Sequence, residues 1–239
     1  MTALSDLKIK EDLERNEIFI HPYDPQNLGS ASYDVRLGRY FFEAGRPTHF
    51  GHEFYNIYSE ADQTKVWGNY KTAQPAHIYK RRYQHADWSN IHDDDEIILL
   101  WPRSNLLCHT IEFIGARTTS TTMMKARSSI GRSLVNVCQC ADMGDIGYAN
   151  RWTMEVYNRD EWVIPLVVGR RIAQIVFLNT GLSEKVYVSK YQETADVTVL
   201  ESLWHPDNMK AALWRDRDIN QVYKDPIYIS VSTSTTITD

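Results

Sequence analysis

The segment KARSSIGRSLV, residues 125–135, sets Arg127 and Arg132 around a pair of serines, Ser128 and Ser129, and runs on into apolar residues. Arginine offers a planar fork of donors and serine a small rotatable hydroxyl, and charge-assisted hydrogen bonds to phosphate are the strong kind. The group fits a phosphate ester. A polar turn opening a short surface helix would use the same residues, because polar clusters also separate periodic segments.

A second candidate lies in RWTMEVYN. Side chains of a strand alternate with period two, so Trp152, Met154 and Val156 share one face while Thr153, Glu155 and Tyr157 share the other. Glu155 then points either to solvent from a half-buried sheet or into a pocket. In a pocket, desolvation raises a carboxylate's pKa and lets it take and return protons. Upstream, GDIGY places Asp145 between glycines, where an aspartate commonly forms a turn. The three cysteines, Cys108, Cys138 and Cys140, cannot pair completely. Cys138 and Cys140, in CQC, would share one face of a strand as two metal ligands, short of the three a catalytic zinc needs, and read equally as small core residues.

These residues need a scaffold, and the pattern predicts one made mainly of strands. A helix is expected over about residues 5–15, with Ser5 as its cap. The segments SYDVRLGRYFF, EIILLW, LLCHTIEFIG, LVNVCQC, RWTMEVYN, WVIPLVV, RIAQIVFLN and KVYVSKY are short, β-branched and aromatic, and bounded by turn residues. Many short strands at close spacing suggest a barrel or sandwich. Residues 44–94 turn polar and aromatic and read as an insertion carrying some strand of its own. After residue 200 an extension to 239 follows, in which HPDNMKAALWRDRDI would hold one helix and VSTSTTITD would fray. With 239 residues and 43% hydrophobic content the chain can bury a core, and its net charge of -5 argues against a nucleic-acid polymer or a membrane surface as partner. The unpaired cysteines, and a start without a secretory pattern, lead to the expectation of a reducing cytoplasm. No apolar run approaches the roughly eighteen residues of a membrane span.

Taken together, LGSASYDVRLG, ARSSIGR, DIGYANRWTMEVYN and GRRIAQIVF resemble the dCTP deaminase and dUTPase superfamily in order and spacing. The opening LSDLKIKEDLERNEIFIHP resembles the deaminase branch, and the likeness covers residues 3–43 and 96–192. It implies a distorted jelly-roll-like β-barrel of the dUTPase-like type with an N-terminal helix, forming a homotrimer with sites between subunits. It also implies dCTP, dUTP and dTTP as the nucleotides bound, with Mg²⁺ riding on the triphosphate and no zinc. By the resemblance, Arg127, Ser129 and Lys190 meet phosphates, while Ser128 and Arg132 lie near the catalytic water. Glu155 is the general base and acid, and the Ala141 carbonyl orients the water. Gln139 joins the substrate-binding set, and Asp145 meets the sugar and the water attacking in dUTPases. Met143, Ile146 and Asn150 depart from the family's basic residue, proline and glycine at those places, and Glu193 and Thr194 stand where a glutamine is usual.

The chemistry has its own argument. Zinc nucleobase deaminases carry H-x-E and P-C-x-x-C motifs, and this chain has neither. A carboxylate must then deprotonate water as it adds to C4 of cytosine, protonate N3, and pass a proton to departing ammonia. Glu155 is the candidate placed for this. Two alternatives stay open. One is a dUTPase or a bifunctional enzyme, favoured by Asp145 and GRRIAQIVF, although YISVSTSTTITD lacks the glycine-rich arm of a plain dUTPase. The other is an inactive nucleotide-binding regulator.

Overall fold

The computed structural model of the chain describes residues 2–46, 54–184, 187 and 196–215. Helix α1 (Asp6–Glu14) starts where Ser5 predicts it, with the Ser5 side chain accepting from the Lys8 amide at 3.3 Å, and its Ile9 is wholly buried. The strands are β1 (Thr2–Ala3), β2 (Ile18–His21), β3 (Tyr33–Glu43), β4 (Lys71–Thr72), β5 (Gln74–Pro75), β6 (Glu96–Leu100), β7 (Asn105–Ala116), β8 (Ser120–Ala126), β9 (Val135–Val137), β10 (Met143–Gly144), β11 (Ala149–Asn158), β12 (Ile164–Val167) and β13 (Arg171–Asn179). Helices α2 (Glu60–Trp67), α3 (Ala76–Arg82), α4 (Ser128–Arg132) and α5 (Val197–Leu203) and short 3₁₀ turns accompany them.

One antiparallel sheet runs β10-β8-β13-β3-β7-β11-β9, with β1 on β13, β2 on β7 and β4 on β3; a second runs β12-β6-β5. The register shifts between Arg151 and Thr153 on β11, between Leu37 and Phe41 on β3, and between Arg171 and Ala173 on β13. Such bulges bend strands and increase twist, and here they curl the sheet around a core of Tyr33, Val35, Leu37, Leu106, Ile114, Met154, Val156, Ile175 and Phe177. The expected mainly β fold is what forms.

Strand β7 is buried along nearly its whole length, so its polar residues must be satisfied from within. Thr110 donates to the Glu112 carbonyl at 2.7 Å and accepts from the Trp152 amide at 2.9 Å. Glu112, fully buried, accepts from the Arg36 amide at 2.9 Å and from its Nε at 2.6 Å.

Three readings need correction. β8 was not expected as a strand. The strand LVNVCQC ends at Val137, because Cys138 takes a left-handed φ of 52°; Cys138 is buried and Cys140 exposed, so they share no strand face. Where described, residues 44–94 carry the expected strand in the two-residue β4 and β5, and helices α2 and α3 besides. In the described part of HPDNMKAALWRDRDI the expected helix is replaced by 3₁₀ turns at Pro206–Met209 and Leu213–Arg215, preceded by α5. Pro206 holds His205 extended, at φ -131° and ψ 146°, which breaks helical continuity. KVYVSKY, Lys190 among it, lies outside the described residues except Tyr187, as does everything from 216 onward. Among the described residues no helix is long and apolar enough to cross a membrane.

Candidate active site

Glu155 stands at the middle of β11, opposite Leu107 of β7, and the Cys138 amide donates to its backbone carbonyl at 3.0 Å. The predicted alternation holds: Trp152, Met154 and Val156 are buried in the core, while Thr153, Glu155 and Tyr157 are half-buried on the other face. Burial raises the Glu155 pKa above the ordinary carboxylate value, and the nearby charge of Asp142 adds to it. Its Oε2 is buried without a hydrogen-bond partner among the described residues. A carboxylate oxygen so placed is poised to bind a ligand or a water.

Glu155 opens on a cleft of about 590 Å³ that Ala141, Asp145 and Thr153 also line. Asp145 is carried by a tight turn between β10 and β11, in which the Tyr148 amide donates to the Asp145 carbonyl at 3.0 Å. Gly147 takes φ 94° there, a conformation that favours glycine, and its amide donates to Ala116 at 2.8 Å. The turn sits against β7 at Gly115, where a Cβ would fall 1.9 Å from the Tyr148 carbonyl oxygen. Tyr55, Trp67, Trp204, Met209 and Lys210 line the cleft as well, and Trp67 and Trp204 pack in one cluster with Met209.

The arginine and serine group forms a separate constellation. Ser128 and Ser129 open α4 and are exposed. Arg132 donates to Ser128 twice, from Nη2 to Oγ at 3.1 Å and from Nε to the carbonyl at 3.2 Å. Arg127 precedes the helix with its Nε 3.1 Å from Asp34 Oδ2, and Arg171 Nη1 lies 3.2 Å from the same oxygen. None of Arg127, Ser128, Ser129, Arg132 and the exposed Gln139 lines the cleft that holds Glu155. Within one chain the structure thus joins Glu155, Ala141 and Asp145 and leaves the α4 group apart. Lys190 lies outside the described residues.

Sequence reasoning passed over Asp34, Arg151 and Trp204. Arg151 could have been read from the alternation that gave Glu155, since both belong to the same row on β11. Cys138 and Cys140 do not converge, and among the described residues no three His, Cys, Asp or Glu side chains could hold a metal ion.

The curled antiparallel sheet matches the crystal structure of 2'-deoxycytidine 5'-triphosphate deaminase from Agrobacterium tumefaciens, with a TM-score of 0.50 and 16% identity over 73% of this chain. This chain spans 47% of the length of that one, and the likeness establishes the fold. A family model described as dCTP deaminase-like matches residues 3–180, and the chain belongs to that family. Among its curated relatives is the "dCTP deaminase, dUMP-forming" of Aquifex aeolicus, 27% identical over 190 residues, which cover 79% of this chain and 88% of the relative. The protein of the same description from Methanopyrus kandleri is 29% identical over 182 residues, covering 74% and 81%.

Proposed function

We propose that this protein hydrolytically deaminates dCTP, with Glu155 transferring the protons and no metal ion in the chemical step. The observation that carries this reading is the half-buried Glu155 carboxylate, its Oε2 unpartnered among the described residues, facing a cleft that Ala141 and Asp145 also line. Water and dCTP become dUTP and ammonia: a C–O bond forms at C4 of the base and the C–N bond to the amino group breaks. Glu155 takes a proton from the attacking water, returns it to N3, and passes the next to the leaving ammonia, and a pKa moved up toward the working pH suits all three transfers. The Ala141 carbonyl orients the water. Arg127, Ser129 and Lys190 hold phosphates, Gln139 and Asp145 hold other parts of the substrate, and Mg²⁺ arrives on the triphosphate.

The separation of α4 from the cleft supports a homotrimer in which Ser128 and Arg132 of one copy complete the Glu155 cleft of the next. Subunits carrying Ser128→Ala and subunits carrying Glu155→Gln should each be nearly inactive alone, and mixed assemblies should regain part of the wild-type rate. No recovery at any mixing ratio would overturn the shared site.

A second reading extends the first to dUMP and pyrophosphate. Asp145 lines the cleft together with Glu155, and the relatives are described as dUMP-forming. Incubation with dCTP and Mg²⁺ should release ammonia, and anion-exchange separation should then show dUMP with pyrophosphate, or dUTP if the reaction stops at deamination. Consumption of dUTP without any ammonia from dCTP would overturn the deaminase reading. Tight nucleotide binding with no turnover of either would leave the regulator.

A further inference from the structure

Arg151 lies in the same row of β11 as Glu155 and lines the same cleft. Its guanidinium is clamped: Cζ sits 4.7 Å from the Phe113 ring on β7 and 4.7 Å from the ring of Trp204. Its Nε donates to the Ile111 carbonyl at 3.2 Å. Rings hold it on two sides and one edge is anchored to backbone, so the terminal amino groups are what remains for a ligand. Arg151 is half-buried and makes no ion pair among the described residues, whereas Arg36, Arg103 and Arg127 all meet carboxylates. A guanidinium fork oriented in this way matches a bidentate oxyanion. Lys210 brings a second cation to the same cleft wall, its Nζ 2.8 Å from Asp207. Trp204 and Lys210 lie beyond residue 180, where the family match ends.

We propose that the terminal amino groups of Arg151 bind a phosphate of the nucleotide, and that Trp204, from the C-terminal extension, is the positioning residue that holds Arg151 for it. The inference deepens the dCTP reading and rests on it. Trp204 also packs on His109, with ring centroids 4.6 Å apart. Burial takes that histidine's pKa down to about 4, so a neutral ring backs the clamp near neutral pH. The extension thereby adds a cationic contact to the catalytic cleft itself. The other oxyanion such a fork accepts is a carboxylate from a second copy of the chain, and the experiment separates the two.

The test is calorimetric titration, in the Glu155→Gln background, with dCTP, deoxycytidine and sodium tripolyphosphate. Adding Arg151→Met should weaken dCTP and tripolyphosphate by about 10- to 100-fold, the range set by one or two charge-assisted hydrogen bonds, and leave deoxycytidine unchanged. Arg151→Lys should recover part of the loss, and Trp204→Ala should show a smaller loss with the same ligand pattern. Unchanged tripolyphosphate affinity, or an equal loss for deoxycytidine, overturns the proposal. Dissociation of the assembly in light scattering, with tripolyphosphate affinity unchanged, also overturns it and assigns the fork to a partner carboxylate. Tripolyphosphate binding needs neither base recognition nor turnover. A protein that binds it through Arg151 but never deaminates dCTP therefore refutes the deaminase reading alone.

Discussion

Replacing Glu155 with glutamine should lower dCTP deamination by about 10² to 10⁴, the usual contribution of a positioned acid and base, while dCTP still binds. Glutamine keeps the size and hydrogen-bonding reach of the side chain but cannot accept a proton. The same substitution should reveal itself in stability. Burial raises the folded pKa of Glu155 above its unfolded value, so the stability linked to this group is fully present below the unfolded pKa and is lost as pH rises through the folded one. The Glu155→Gln protein should therefore melt above the wild type at pH 8, and the gap should close as the buffer approaches about pH 4. Ammonia release at the wild-type rate by the variant would remove Glu155 from the mechanism. A melting difference independent of pH would remove the desolvated carboxylate.

Arg36→Met should give the largest loss of stability. The Glu112 side chain is fully buried and meets Arg36 through both the backbone amide and the guanidinium. Methionine preserves the apolar stem yet strands the carboxylate, and breaking a buried pair in this way costs about 3 to 5 kcal/mol. That is a large part of the roughly 5 to 15 kcal/mol that holds a domain together. Adding Glu112→Gln to Arg36→Met should restore much of the loss, because the stranded charge is gone and the Arg36 amide keeps an acceptor. Urea unfolding at one fixed protein concentration reads both effects. A loss below about 1 kcal/mol for Arg36→Met would mean that water reaches Glu112 freely, as at an exposed pair.

Much of this architecture was legible because its strands alternate or run apolar. The pattern that buries Trp152, Met154 and Val156 also turns Glu155 to the opposite face, and its placement followed from the period. β8 escaped because STTMMKA shows neither signal. Its Thr121 and Thr122 are buried by hydrogen bonding, both hydroxyls donating to the Gly144 carbonyl, at 2.6 and 3.3 Å, so hydropathy understates the burial. The left-handed turn at Cys138 has no local mark, since a cysteine rarely adopts that conformation unless its surroundings impose it. The clamp of Trp204 on Arg151 joins residues far apart in the chain, and nothing in the composition around either one announces the other. Resemblance to the family reached Arg127 and the serines and arginine of α4, but only the three-dimensional structure could show that they stand outside the cleft of their own chain.

Asp34 ties together two cations, Arg127 just before α4 and Arg171 on β13. One of its oxygens, Oδ2, serves Arg127 and Arg171 together, at 3.1 and 3.2 Å. If Arg127 meets a phosphate as proposed, the nucleotide enters a site that already holds an anion and competes to trade places with it. The driving force of that trade is a difference between two anions, so a single phosphate group gains little over the carboxylate while a chain of three gains more. The trade also runs backwards. On that reading Asp34 stays within reach to reclaim both guanidiniums as the ligand's charge leaves, and the protein's own counter-ion would favour release of product.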